Sequence, residues 1–125
     1  MECLIRLLKK SDNRKDFQCG HNALDNFFKR YAGQNQFRHH IGVTYIATDN
    51  EAILGYATVA TGILEVEKLP EKKSLPANYP LPVLRLGRLA VDRRYHGQDI
   101  GKQLLLHFVN PHPLWFLTTF SFFFD

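Results

Sequence analysis

Arg93, Arg94, Gly97, Gln98, Gly101 and Lys102 fall between the apolar runs Leu89-Ala90-Val91 and Leu104-Leu105-Leu106. Glycine and basic residues at a strand-to-helix junction suit anion binding. Glycine lets backbone N–H groups approach a ligand, and the unpaired donors of a helix start sit at the positive end of its dipole. Basic side chains add charge, so the chemistry implied is the holding of a phosphate or similar anion. An ordinary connection with solvated basic residues satisfies the same pattern, because short glycine motifs recur by chance.

The elements that must position this turn are legible along the chain. Residues 3–8 suit a first strand, and residues 11–20 are polar and loop-like. From Asn22, a suitable N-cap, Leu24, Phe27, Phe28 and Tyr31 follow helical spacing, with Asp25 in the first turn. Gly33 weakens that helix, and residues 34–40 continue as a polar, basic stretch. Residues 42–48 are β-rich and stop at Asp49-Asn50-Glu51, a hairpin turn, with residues 52–63 as the returning strand. Residues 65–82 hold Pro70, Pro76, Pro80 and Pro82 and are expected to form a surface loop. Residues 83–91 make the next strand and residues 100–109 the helix after the turn. Asn110-Pro111-His112-Pro113 then ends that helix.

At 125 residues the chain is expected to be one domain, and its net charge of +4 suits anionic partners. Cys3 and Cys19 lack CxxC spacing and are too few for a disulfide framework, which points to a reducing cytoplasm. The adjacent His39 and His40 face different ways in regular structure, so no metal site is expected. Beyond Lys102 the only charged residue is Asp125, and five of the ten phenylalanines fall in the last ten residues. The apolar run 114–124 is shorter than the roughly 20 residues that span a bilayer, so no membrane association is expected. It reads instead as an exposed, β-prone segment.

The stretch Leu89-Ala90-Val91-Asp92-Arg93-Arg94-Tyr95-His96-Gly97-Gln98-Asp99-Ile100-Gly101-Lys102 resembles the acetyl-CoA-binding motif of the GCN5-related N-acetyltransferases (GNAT). Asp16-Phe17-Gln18-Cys19-Gly20, Leu24-Asp25-Asn26-Phe27-Phe28, Tyr31-Ala32-Gly33-Gln34-Asn35-Gln36 and Leu86-Gly87-Arg88-Leu89-Ala90-Val91-Asp92 look like the toxin branch of that family, found in bacterial toxin–antitoxin pairs. The resemblance covers residues 3–109. It implies an α/β (α+β) acyl-CoA N-acyltransferase fold: a mixed, mainly antiparallel sheet with helices on both faces, splayed near the motif strand. It implies acetyl-CoA as donor, with Leu89, Ala90 and Val91 pairing with the pantetheine arm. Arg94, His96, Gly97, Gln98, Ile100, Gly101 and Lys102 would surround the pyrophosphate. It further implies aminoacyl-tRNA as acceptor, with Arg88, Arg93, Arg38 and Arg30 as candidates for tRNA phosphate. A ribbon-helix-helix antitoxin is the implied partner.

The chain departs from the family pattern at two places. Asp99 puts a carboxylate inside the pyrophosphate loop, which predicts weakened donor binding. After Val109 nothing matches, and the family's tyrosine that protonates the departing thiolate has no counterpart, the last tyrosine being Tyr95. Residues 1–109 are therefore expected to be an incomplete acetyltransferase domain. Residues 110–125 are expected to be an atypical Phe-rich tail, from a truncated or frame-shifted gene. Two further readings follow: a general acetyltransferase of a small amine or protein, and an inactive remnant acting as a binding module. An exposed sheet edge would favour a homodimer. Glu65, Glu67 and Glu71 are candidate general bases on or beside the proline-rich loop.

Overall fold

Central strands carry apolar residues on both faces, and their alternation sorts the core into two layers. The computed structural model describes residues 2–40, 42–49, 52–65, 80–109, 116–118 and 122–123. In chain order the elements are β1 (Leu4–Leu7), α1 (Asn22–Asn26) with π-helical continuations at Phe27–Tyr31 and Gln34–His39, and β2 (Val43–Thr48). Then come β3 (Ile53–Glu65), β4 (Pro80–Val91), a 3₁₀ turn at Arg93–Tyr95, α2 (Ile100–Val109), β5 (Phe116–Thr118) and β6 (Phe122–Phe123). The sheet runs β1-β2-β3-β4-β5, with β6 also on β4. The first three pairings are antiparallel, and β5 and β6 run parallel to β4. This is the mixed, mainly antiparallel sheet that the family resemblance implies.

One face packs Ile46, Tyr56 and Ala90 against Leu24, Phe27, Phe28 and Ala32 of the first helical run. The other packs Ala47, Ala57, Leu89 and Val91 against Ile100, Leu104 and Phe108 of α2. Helices therefore cover both faces. Among the described residues no helix is long and apolar enough to cross a membrane.

Gly55 sets how closely α2 can approach. A Cβ there would lie 2.9 Å from Ala90 O, 3.1 Å from Leu104 Cδ1 and 3.3 Å from Ile100 Cγ2. The first of these contacts is backbone and cannot swing aside. Gly55→Ala is expected to destabilise the fold by about 1–3 kcal/mol through overpacking. Urea denaturation should show a lower midpoint at unchanged slope.

Four local expectations are corrected. The helix cap is His21, not Asn22, which is the first helical residue. The helical run continues through Gly33 to His39 because π turns absorb it. There Arg14 Nη1 donates to Phe28 O at 3.0 Å, and a Cβ on Gly33 would lie 3.0 Å from that guanidinium. Gln36 anchors the second π segment, donating to Leu8 O at 2.9 Å and accepting from Thr44 N at 2.6 Å. The expected loop is also shorter than residues 65–82, since Pro80 and Pro82 lie in β4 opposite Glu65 and Ile63. Their spacing of two puts both missing donors on the same side of the strand. Finally, the tail contributes strands to the sheet rather than only an exposed segment. Residues 50 and 51 of the hairpin turn, and Glu67 and Glu71, lie outside the described residues.

Candidate functional site

Asp92 organises the end of β4. It is fully buried, and its carboxylate accepts from Arg94 N at 2.9 Å, Arg94 Nε at 3.0 Å, Arg94 Nη2 at 3.1 Å and Gln18 N at 3.1 Å. Burial pushes its carboxyl up, but the bonds from Arg94 and Gln18 outweigh this and hold it below the ordinary carboxylate range. Arg93 N donates to Gln18 O at 2.8 Å, and Asp92 N to Leu54 O at 2.8 Å. The two separated sequence motifs therefore meet at Gln18 and Asp92. Arg94, which sequence reasoning assigned to the anion, gives its Nε and Nη2 to Asp92. His96 turns back too, with Nε2 2.8 Å from Val91 O.

Beyond this knot the chain reverses through left-handed backbone at Gly97 (φ +82°) and Asp99 (φ +62°). Among the described residues a Cβ on Gly97 would meet nothing within 4 Å, so the conformation and not crowding favours glycine there. Asp99 takes the same region with a side chain that tolerates it. Gln103 N donates to Asp99 O at 3.0 Å, the first backbone bond of α2. The amides of Ile100, Gly101 and Lys102 precede that bond and have no helix carbonyl to donate to. Gly97, Asp99 and Lys102 are exposed, whereas Ile100 and Gly101 are buried. Donors at a helix start beside an exposed lysine favour negative charge, and Asp99 sets a carboxylate at the rim of the same turn.

A β-bulge aims the neighbouring side chain. Thr58 pairs with Arg88 while Val59 pairs with Leu86, leaving Gly87 as the extra residue. The bulge shifts the alternation of β4. Leu86 and Leu89 both face α2, and Arg88 is thrown to the opposite face, where its guanidinium lies 3.9 Å from the Phe27 ring centroid. Arg30, Arg38 and Arg93 are exposed, and Arg88 is half-buried. On the outer side of β4, β5 pairs with Leu84–Leu86 and β6 with Leu89 and Ala90.

Candidates for acid or nucleophile are few. Tyr56 is buried and donates to Leu24 O at 2.7 Å, and burial pushes its phenol far above the ordinary range. Burial first, then Asp25, pushes the Cys19 thiol up to about 12, so it stays protonated. Glu65 ends β3.

No protein-family model matches the sequence. The solved structure of AtaT complexed with acetyl-methionyl-tRNAfMet superposes with a TM-score of 0.76 at 30% identity, covering 87% of this chain and 68% of AtaT. The chain belongs to the GNAT toxin family. An AtaT mutant toxin bound to the C-terminus of the antitoxin AtaR and acetyl-CoA gives a TM-score of 0.69 at 29% identity, over 88% of this chain and 64% of that one. A tRNA-acetylating toxin of Mycobacterium tuberculosis is 26% identical over 100 residues, 80% of this chain. The chain spans 60% of that relative's length.

Two features of the site escaped the residue types alone. Gly87 inside a strand pattern signals a bulge, which predicts the changed face of Arg88. Asp92 two residues before Arg94 has the spacing of a side chain that bonds its own downstream N–H.

Proposed function

We propose that this chain is an acetyl-CoA-dependent N-acetyltransferase that acetylates the amino group of aminoacyl-tRNA and so blocks translation in the cytoplasm. The turn from β4 into α2 carries this reading, on a chain of the GNAT toxin family. Its amides at Ile100, Gly101 and Lys102, the Lys102 charge and the open space at Gly97 fit a pyrophosphate. The relatives support the same donor and acceptor, since AtaT structures hold acetyl-CoA or acetyl-methionyl-tRNA.

Acetyl-CoA supplies an activated thioester and an arm with two amides. Gly97, Gln98, Ile100, Gly101 and Lys102 surround the pyrophosphate, while Arg94 and His96 hold the turn through Asp92 and Val91. Where β6 does not occupy it, the outer edge of Leu89, Ala90 and Val91 would offer N–H and C=O groups to the arm, as a sheet edge accepts an added strand. An N–H on that edge would polarise the thioester carbonyl of a bound donor. Arg88, set over Phe27 on the other face, positions the acceptor, and Arg38, Arg93 and Arg30 meet tRNA phosphate. A ribbon-helix-helix antitoxin is the partner, in line with AtaR bound to AtaT.

Transfer of labelled acetyl from acetyl-CoA to charged tRNA, and not to polyamines or peptides, is the expected result. Acetylated peptide or polyamine instead would mark a general acetyltransferase. The pairing of β6 with Leu89 and Ala90 favours a second reading, an inactive binding module. Antitoxin binding with no acetyl transfer would select it.

Asp99→Gly is expected to tighten acetyl-CoA binding about fivefold, the effect of a like charge at close range in water. The gain should shrink as salt is raised. Titration calorimetry of both chains checks it, and equal affinities at low salt would refute the electrostatic role of Asp99.

A further inference from the structure

We propose that the Phe-rich tail is an internal strap that competes with the donor arm for the edge of β4. This rests on the donor reading above. The register carries the argument: β5 pairs with Leu84, Arg85 and Leu86, and β6 pairs with Leu89 and Ala90. The bulge at Gly87 lies between the two pairings. The two described strands of the tail, β5 and β6, therefore lie along β4 on either side of the point where the strand changes course. Its second contact falls on the backbone that the donor arm needs.

The composition of the tail suits this role. Between Lys102 and Asp125 there is no charged residue, so nothing in residues 116–123 opposes pairing with a sheet edge. β6 is only two residues long. A strand of that length is a weak occupant, easily displaced by a ligand that also gains an anchor at the start of α2. Gly97 and the amides of Ile100, Gly101 and Lys102 lie outside the residues that β5 and β6 pair with. Donor affinity is then set by the fraction of molecules in which β6 has released β4.

The test uses the full chain and the double variant Phe122→Pro/Phe123→Pro, which removes both backbone donors of β6. Acetyl-CoA is expected to bind the variant about tenfold tighter, as for a strap closed nine-tenths of the time. ADP, which carries a pyrophosphate without the arm, should bind both chains equally. Hydrogen exchange adds a readout independent of the donor. The amide of Leu89 or Ala90 that faces β6 should exchange faster in the variant, and acetyl-CoA should speed exchange at Phe122 and Phe123 in the unaltered chain.

Equal acetyl-CoA affinities in two binding-competent chains overturn the strap and leave the donor reading standing. Unchanged exchange at both Leu89 and Ala90 overturns the pairing itself. Failure of both chains to bind acetyl-CoA, with faster exchange in the variant, overturns the donor reading and the competition with it.

Discussion

Asp92→Ala is expected to lower stability by about 2–4 kcal/mol, a large part of the roughly 5–15 kcal/mol typical of a domain. The carboxylate is fully buried and accepts four hydrogen bonds. Two of its donors are backbone amides, Gln18 and Arg94, which lose their partner when it goes. The Arg94 side chain is 55% exposed, so its guanidinium returns to water at little cost. The loss therefore falls on the backbone of the turn. Asp92→Asn keeps one acceptor oxygen and should cost about half as much. Urea denaturation measures both, and faster amide exchange at Gln18 and Arg94 would locate the damage. Acetyl-CoA affinity should fall as well, because the same knot sets the direction in which the chain enters α2. The pH dependence has a definite sign. The folded carboxyl lies below its ordinary value, so its stabilisation is fully present above the unfolded pKa. It is lost as pH falls through the lower folded value, below about pH 4. Asp92→Asn should flatten that acid limb, and an unchanged acid limb would count against the assignment.

Local rules read the turn between β4 and α2 well because its conformation is local. α2 spans Ile100–Val109 as periodicity and Pro111 dictate, and α1 begins at Asn22. The glycine and basic residues between β4 and α2 form the turn they suggest. What escaped has non-local causes. The apolar stripe was expected to end on Tyr31, yet Tyr31 is 47% exposed and Ala32 is buried. In the π turn Ala32 N donates to Phe27 O, five residues back, so the stripe is displaced by one residue. That displacement goes with Arg14 bonding Phe28 O across the molecule, which no periodicity encodes. Pro80 and Pro82 signal a loop by local rule, but pairing with β3 draws them into a strand. The pairing of Phe116 with Leu84, and of Phe122 with Leu89, likewise joins segments distant along the chain. A family pattern that stops matching at Val109 gives no hint of it.

Phe28→Ala is expected to destabilise the fold by about 3–5 kcal/mol. Phe28 is fully buried and stacks on Tyr56, with ring centroids 4.4 Å apart and planes within 4°. Phe17 meets Phe28 edge-on at 4.9 Å and Tyr56 at 5.5 Å, so truncation opens a cavity walled by two rings. The cavity would lie under the π turn at Phe27–Tyr31, the segment that presents Phe27 to Arg88. Stability and acceptor positioning should therefore fall together. Tyr56→Phe separates the two effects. It keeps the stack and loses only the bond to Leu24 O, at about 1 kcal/mol, since that carbonyl still accepts from Phe27 N. Thermal and urea denaturation should show Phe28→Ala less stable than Tyr56→Phe by about 2–4 kcal/mol. With donor saturating, Tyr56→Phe should leave the KM for charged tRNA near that of the unaltered chain, while Phe28→Ala raises it. Equal KM in both variants would show that Arg88 does not depend on the packing beneath Phe27, and its role as a positioned side chain would fall.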